Sequence, residues 1–141
     1  MTDTYRRGLD TLARAGNKPD GAQNKLAEVS PDFARMAIAF PYGEIFSRSQ
    51  LDVKTRELLA VVATAALGAL PQLRGHVAAA LHFGWSQAEV IEAVMQTAVF
   101  AGFPAATNSL TACHDLLVSG GDYCAPCQST VSADGQACPR A

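Results

Sequence analysis

Two side chains offer this sequence its most direct chemistry, His76 and Glu57. On a helix over residues 71–83 with Leu73 set at zero, Val77 and Ala80 fall within roughly 40°, His76 at about 60° on the same side and His82 at about 180°. The spacing therefore predicts an inward His76 and a solvent-facing His82. An inward histidine is most often a hydrogen-bonded core residue, so His76 by itself specifies little. Glu57 shares a helical row with Val53, Val61 and Thr64, which turns its carboxylate into the protein. A carboxylate there needs a partner, because taking its charge out of water is costly. Two kinds are open: an ion pair at the rim with Arg56, Lys54 or Arg74, or a histidine. A partly buried glutamate beside a histidine fixes the tautomer of the imidazole and equips it for proton transfer.

The cysteines are the other reactive groups. Cys124-Ala-Pro-Cys127 is a lone C-x-x-C, with Cys138 downstream and Cys113-His114 upstream. Zinc could in principle be ligated by this set, but one C-x-x-C without a second pair at standard spacing is a weak signal. A thiol-redox role for Cys124 and Cys127 with His76 is a further option. Cys113 fits the apolar stripe of its helix and is more simply a core residue. The favoured expectation for the rest is an irregular tail.

The elements that must position His76 and Glu57 are helical throughout. The chain has 141 residues, 49% hydrophobic and 17% charged, enough for one domain with a real core. Its formal charge of −2 gives nucleic acid and anionic membrane nothing to hold. The longest apolar run, residues 58–70, is too short to span a bilayer and suits a buried helix. Residues 1–20 contain no apolar signal core, so a cytoplasmic location is expected. Helices are predicted over 3–15; from Ser30-Pro31-Asp32 to Phe46; from a cap at Asp52 to Gly68; from Pro71 to Gly84; from the capping box Ser86-Gln87-Ala88-Glu89 to Gly102; and from Pro104 to Leu117. Pro19-Asp20-Gly21 reads as a turn. The outcome is an all-α, compact multi-helix domain over residues 1–118, followed by a Gly/Ser/Cys-rich tail over 119–141.

Residues 51–106 resemble the core of the carboxymuconolactone decarboxylase family. The shared pattern is Asp52-x-Lys54-Thr55-Arg56, then Leu73-Arg74-x-His76, then Gly84-x-Ser86-x-x-Glu89, closing on Phe100-x-Gly102-x-Pro104-Ala105-Ala106. Tyr5-Arg6-Arg7-Gly8 and residues 43–48 extend the likeness, which covers roughly residues 5–117. A sister branch, the alkylhydroperoxidase-like proteins, carries a C-x-x-C whose histidine aligns with His76 and a relay glutamate that aligns with Glu57. Its two thiols would fall on Ala69 and Gln72, so the dithiol site is missing here.

The resemblance implies an alkylhydroperoxidase-like helical fold, assembled as a homo-oligomer, trimer or hexamer. It implies removal of CO2 from a carboxylated unsaturated lactone, 4-carboxymuconolactone or a similar compound, to give an enol-lactone. No metal or organic cofactor is called for, because the conjugated lactone is its own electron sink. His76 and Glu57 would be the catalytic residues. Arg48, Arg74 and Arg7, with Tyr42, would bind the substrate's remaining carboxylate and ring. Pro41-Tyr42 and Phe46 depart from the decarboxylases, which carry other residues and a tryptophan there; both departures fall where substrate would be gripped. The alternatives are a thiol-dependent peroxidase or reductase of the same superfamily and a non-catalytic oligomer that binds a small acid.

Overall fold

In a computed structural model, the described residues are 3–16 and 21–118, with 21–23 described in backbone alone. They form eight α-helices and one π-helical turn, with no strand among them. In chain order these are α1 (Asp3–Arg14), α2 (Gly21–Val29), α3 (Pro31–Phe40), the π-helical turn (Pro41–Ile45), α4 (Val53–Leu67), α5 (Leu70–His82), α6 (Gln87–Ala101), α7 (Phe103–Ala112) and α8 (His114–Val118). Residues 119–141 lie outside the described residues, and the expectations for Cys124, Cys127 and Cys138 lie there with them.

Helices α4 to α7 build the core. Asp52 caps α4 by accepting from Thr55 N at 2.9 Å and from Thr55 Oγ1 at 2.8 Å, and Gly68 ends it in the left-handed conformation at φ 66°. At the start of α6, Ser86 and Glu89 form the expected reciprocal capping box. Between these ends Val61, Ala65, Leu73, Val77, Ala80, Val90 and Val94 pack into one cluster. Burying each Val or Leu contributes about 1.5–3 kcal/mol, enough to hold α4 against α5 despite helices of ordinary propensity. Lys54 and Trp85 lock the base of α4 to the α5–α6 connection. Trp85 Nε1 donates to Lys54 O at 3.0 Å, and Lys54 Nζ reaches Gly84 O at 3.1 Å while lying 4.5 Å over the indole ring.

A second layer is made by α1, α3 and the π-helical turn. It is close-packed through Gly43, where a Cβ would stand 2.2 Å from the Thr4 carbonyl oxygen. Only hydrogen fits in that space.

Three local structures differ from the sequence expectations. Residues 21–29 form α2, a stretch for which no helix is predicted from the sequence; Pro19 and Asp20 of the expected turn lie outside the described residues, and Ala22, Gln23, Lys25, Leu26, Ala27 and Glu28 are all good helix formers. The predicted helix from Ser30 to Phe46 is α-helical only to Phe40. Pro41 has no N–H to continue the α-ladder, and the register slips so that Phe46 N donates to Pro41 O at 2.8 Å. The predicted helix from Pro104 to Leu117 breaks at Cys113. Arg74 Nη1 donates to the Ala112 carbonyl, and Leu116 N turns instead to Cys113 O at 3.0 Å.

Candidate active site

Helix α4 carries Glu57 on the face that packs against α5, and there it is buried, with 1% of its side chain exposed. Helix α5 brings His76 to the same place: His76 Nδ1 and Glu57 Oε2 are 2.7 Å apart, and 17% of the histidine side chain remains accessible. Inward His76 and exposed His82 both stand as the helical spacing predicts. The rim cations do not compete for Glu57. Arg56 donates from Nε to Leu51 O at 3.0 Å, Lys54 is held by Gly84 and Trp85, and Arg74 by Asp115. The second carboxylate oxygen, Glu57 Oε1, is buried and makes no hydrogen bond among the described residues. A buried acceptor left unsatisfied is uncommon, and Oε1 is free to accept from a ligand or a water.

With Nδ1 facing the carboxylate, the other ring nitrogen, Nε2, is left for a ligand. Beside the imidazole stands a pair of aromatic rings from the segment after α3. Phe46 lies stacked against the His76 imidazole, with centroids 6.2 Å apart and planes inclined by 23°. Tyr42 backs Phe46 at 5.2 Å and 50°. Tyr42 is thereby brought to the site, one ring removed from His76. As a contact of His76, Phe46 is a finding of the fold. Its trace in the sequence is the i, i+4 spacing of Tyr42 and Phe46, which pairs the two rings but says nothing about α5.

The arginines divide. Arg7 supports the π-helical turn: its Nε donates to Gly43 O at 2.8 Å, and Nη2 lies 3.5 Å from Glu44. Arg48 follows two residues after Phe46 and is exposed, its own carbonyl held by Arg56 at 3.5 Å. Arg74 is not brought to the pair. It forms a bidentate ion pair with Asp115, at 2.6 and 2.8 Å, on the side of α5 that meets α7 and α8. These hydrogen bonds hold the Asp115 carboxyl down at about 2 and raise the guanidinium. Cys113, beside that pair, is a buried free thiol whose pKa is pushed up by burial. A buried thiol of that kind is a poor attacking group, and Cys113 is a core residue as its stripe predicts. Among the described residues no three His, Cys, Asp or Glu side chains are grouped to hold a metal ion. No helix among them is long and apolar enough to cross a membrane.

A separate cavity of about 580 Å³ lies between α6, α7 and α8, walled by Ile91, Met95, Leu110 and Leu117, and neither His76 nor Glu57 lines it.

Known proteins supply an independent comparison. Over 121 residues the chain is 31% identical to an uncharacterized 15.0 kDa protein in the nqo9-nqo10 intergenic region of Paracoccus denitrificans, covering 78% of this chain and 90% of that one. Over 108 residues it is 29% identical to the 4-carboxymuconolactone decarboxylase of Acinetobacter baylyi, covering 75% of this chain and 81% of that one. The sequence profile of the carboxymuconolactone decarboxylase family matches residues 31–115, a span that runs from the start of α3 to α8 and contains Phe46, Glu57 and His76. With its helical fold and its buried Glu57–His76 pair, the chain belongs to the carboxymuconolactone decarboxylase family.

Proposed function

We propose that the protein is a cofactor-free decarboxylase of a carboxylated unsaturated lactone, 4-carboxymuconolactone or a close analogue, with His76 and Glu57 as its catalytic residues. The observation that carries this is the 2.7 Å contact between His76 Nδ1 and a fully buried Glu57, which leaves the outer edge of the imidazole for substrate. When the γ-carboxylate leaves as CO2, its bonding pair moves into the ring and charge gathers on the lactone carbonyl oxygen. The resulting dienolate takes one proton at the ring carbon next to that carbonyl and becomes the enol-lactone. His76 supplies the proton from Nε2 and recovers it from solvent. Glu57 fixes the ring by its contact at Nδ1 and so turns Nε2 towards the ligand side. Water is excluded from one side by the Phe46 ring, so the developing charge is met in a weakly screening environment.

The substrate's second carboxylate calls for a guanidinium. We assign this role to Arg48, since Arg74 is held by Asp115 and Arg7 by Gly43 and Glu44. We also propose a homo-oligomer, a trimer or hexamer. Val99, Phe100 and Phe103 are 77%, 81% and 79% exposed around the α6–α7 junction, and Leu59 and Leu67 on α4 are exposed as well.

Incubation with 4-carboxymuconolactone, followed by loss of its ultraviolet absorbance, tests the reaction. His76→Gln is expected to lower turnover by about 10²-fold or more with unchanged helical circular dichroism. Full turnover by that variant would sink the assignment.

A further inference from the structure

We infer that Phe46, backed by Tyr42, is the specificity wall of the His76 site and that it selects acids with a flat, conjugated ring over acids with a puckered, saturated one. The inference rests on the proposal that the His76–Glu57 pair is where the ligand binds, and deepens it by naming what the pocket wall recognises.

The geometry has three parts. The Phe46 ring and the imidazole lie close to parallel, with 23° between their planes and 6.2 Å between their centroids. Phe46 is thus the aromatic neighbour of the imidazole, and a ligand bound over that face of His76 meets it. The wall is also stiff. Tyr42 packs on its far side at 5.2 Å, and both rings sit on a turn pinned by the 2.8 Å bond from Phe46 N to Pro41 O. Side chains pin the same turn again, because Gly43 O accepts from Arg7 Nε at 2.8 Å and from Ser47 Oγ at 2.7 Å. Finally, Phe46 is only partly buried, so some of its ring is left to a ligand.

An aromatic face prefers another π-system offset-stacked or edge-on, with a gain of about 0.5–1.5 kcal/mol beyond the area buried. A saturated ring of the same size is puckered, carries hydrogens on both faces and meets the aromatic ring through C–H contacts alone, without that π-stacking gain. Phe46 thus acts on the ligand's shape and on the orientation of the imidazole, whereas proton transfer belongs to His76.

Furan-2-carboxylate and tetrahydrofuran-2-carboxylate carry the same carboxylate on a flat and on a puckered five-membered ring. Calorimetric titration of the intact protein with each, alongside the shift of the His76 ring protons in NMR spectra, reads the preference without any turnover. The wild type is expected to bind the flat acid about three- to tenfold more tightly. Phe46→Leu should bring the ratio close to one, and Phe46→Tyr should keep it. Phe46→Met, of similar volume, replaces the leucine variant should that one lose its helical signal. Equal affinities in the wild type, binding of neither acid, or a ratio unchanged in Phe46→Leu or Phe46→Met would each overturn the inference. A preserved ratio without lactone decarboxylation would leave the wall standing and remove the proposed reaction. Turnover that depends on His76 but is indifferent to Phe46 would do the reverse.

Discussion

A buried carboxylate is tolerated when a hydrogen-bonding partner meets it, and at Glu57 that partner is His76. Removing the charge while keeping the shape separates orientation from electrostatics. In Glu57→Gln the side-chain amide can still accept from Nδ1, so the ring keeps its direction, but the carboxylate is no longer there beside it. Decarboxylation is expected to fall by about 10²-fold, chiefly in kcat, because a proton donor is needed in the transition state rather than in binding. A variant with unchanged kcat and a raised KM would place Glu57 in substrate binding instead. At this scale the sequence was partly legible. Periodicity put His76 inside and His82 outside, and a row of apolar neighbours put Glu57 inside. It left the partner of Glu57 open, since an ion pair at the rim and a histidine on the next helix look alike until the helices are packed. Arg74 illustrates the remainder. Its two-residue separation from His76 points it to the other side of α5, where Asp115, distant in sequence, captures it.

Elements are positioned by a few contacts that no local pattern announces. The helical stretch before Phe46 was legible, yet the π-helical register that aims Tyr42 and Phe46 depends on Pro41 together with an α1 helix pressed against Gly43. An added methyl there would stand 2.2 Å from a backbone oxygen, which cannot move as a flexible side chain can. Gly43→Ala is accordingly expected to destabilise the fold by about 1–3 kcal/mol, seen as a lowered denaturation midpoint, and to weaken substrate binding through displacement of Phe46. An unaltered midpoint would show that α1 and the turn can part without cost. The junction of α5 with α7 and α8 makes a prediction with a pH dependence. Hydrogen bonds from Arg74, with its charge behind them, hold Asp115 at about 2, below its ordinary 3.8. A depressed carboxyl stabilises the fold above its ordinary value and loses that contribution as pH falls from about 4 towards 2. Asp52 and Glu89 are lowered as well by their capping bonds and add to the acid slope. Comparing melting temperatures of wild type and Asp115→Asn from pH 6 to pH 2 isolates the junction: the gap should be widest near neutrality and close through that window. A gap independent of pH would mean that the bidentate pair adds nothing beyond shape.

For the whole molecule, an apolar helix such as α4 must be covered, and the described residues cover only part of it. Val61 and Ala65 are fully buried, while Leu59 and Leu67 on the same helix stand 56% and 81% exposed. The sequence showed that α4 carries most of the longest apolar run; it could not show which side the described helices would leave open, because that depends on how α5 and α6 cross it. The remaining exposed apolar residues have the same character. Met95, Val99 and Phe100 are exposed near the end of α6, and Phe103 follows them across Gly102 into α7. Water around such a run is unfavourable, and covering each large side chain is worth about 1.5–3 kcal/mol. A symmetric assembly of identical chains offers a cover that needs no other gene product. Light scattering on the purified protein is therefore expected to give a mass three or six times the 14.8 kDa of the chain. Phe100→Glu, which places a charge in the run while leaving the Val61–Leu73–Val77 core untouched, should reduce that mass to the single chain at micromolar concentration with helicity preserved. A wild type that scatters as one chain, or a glutamate variant that assembles as before, would mean that this face is not where copies meet.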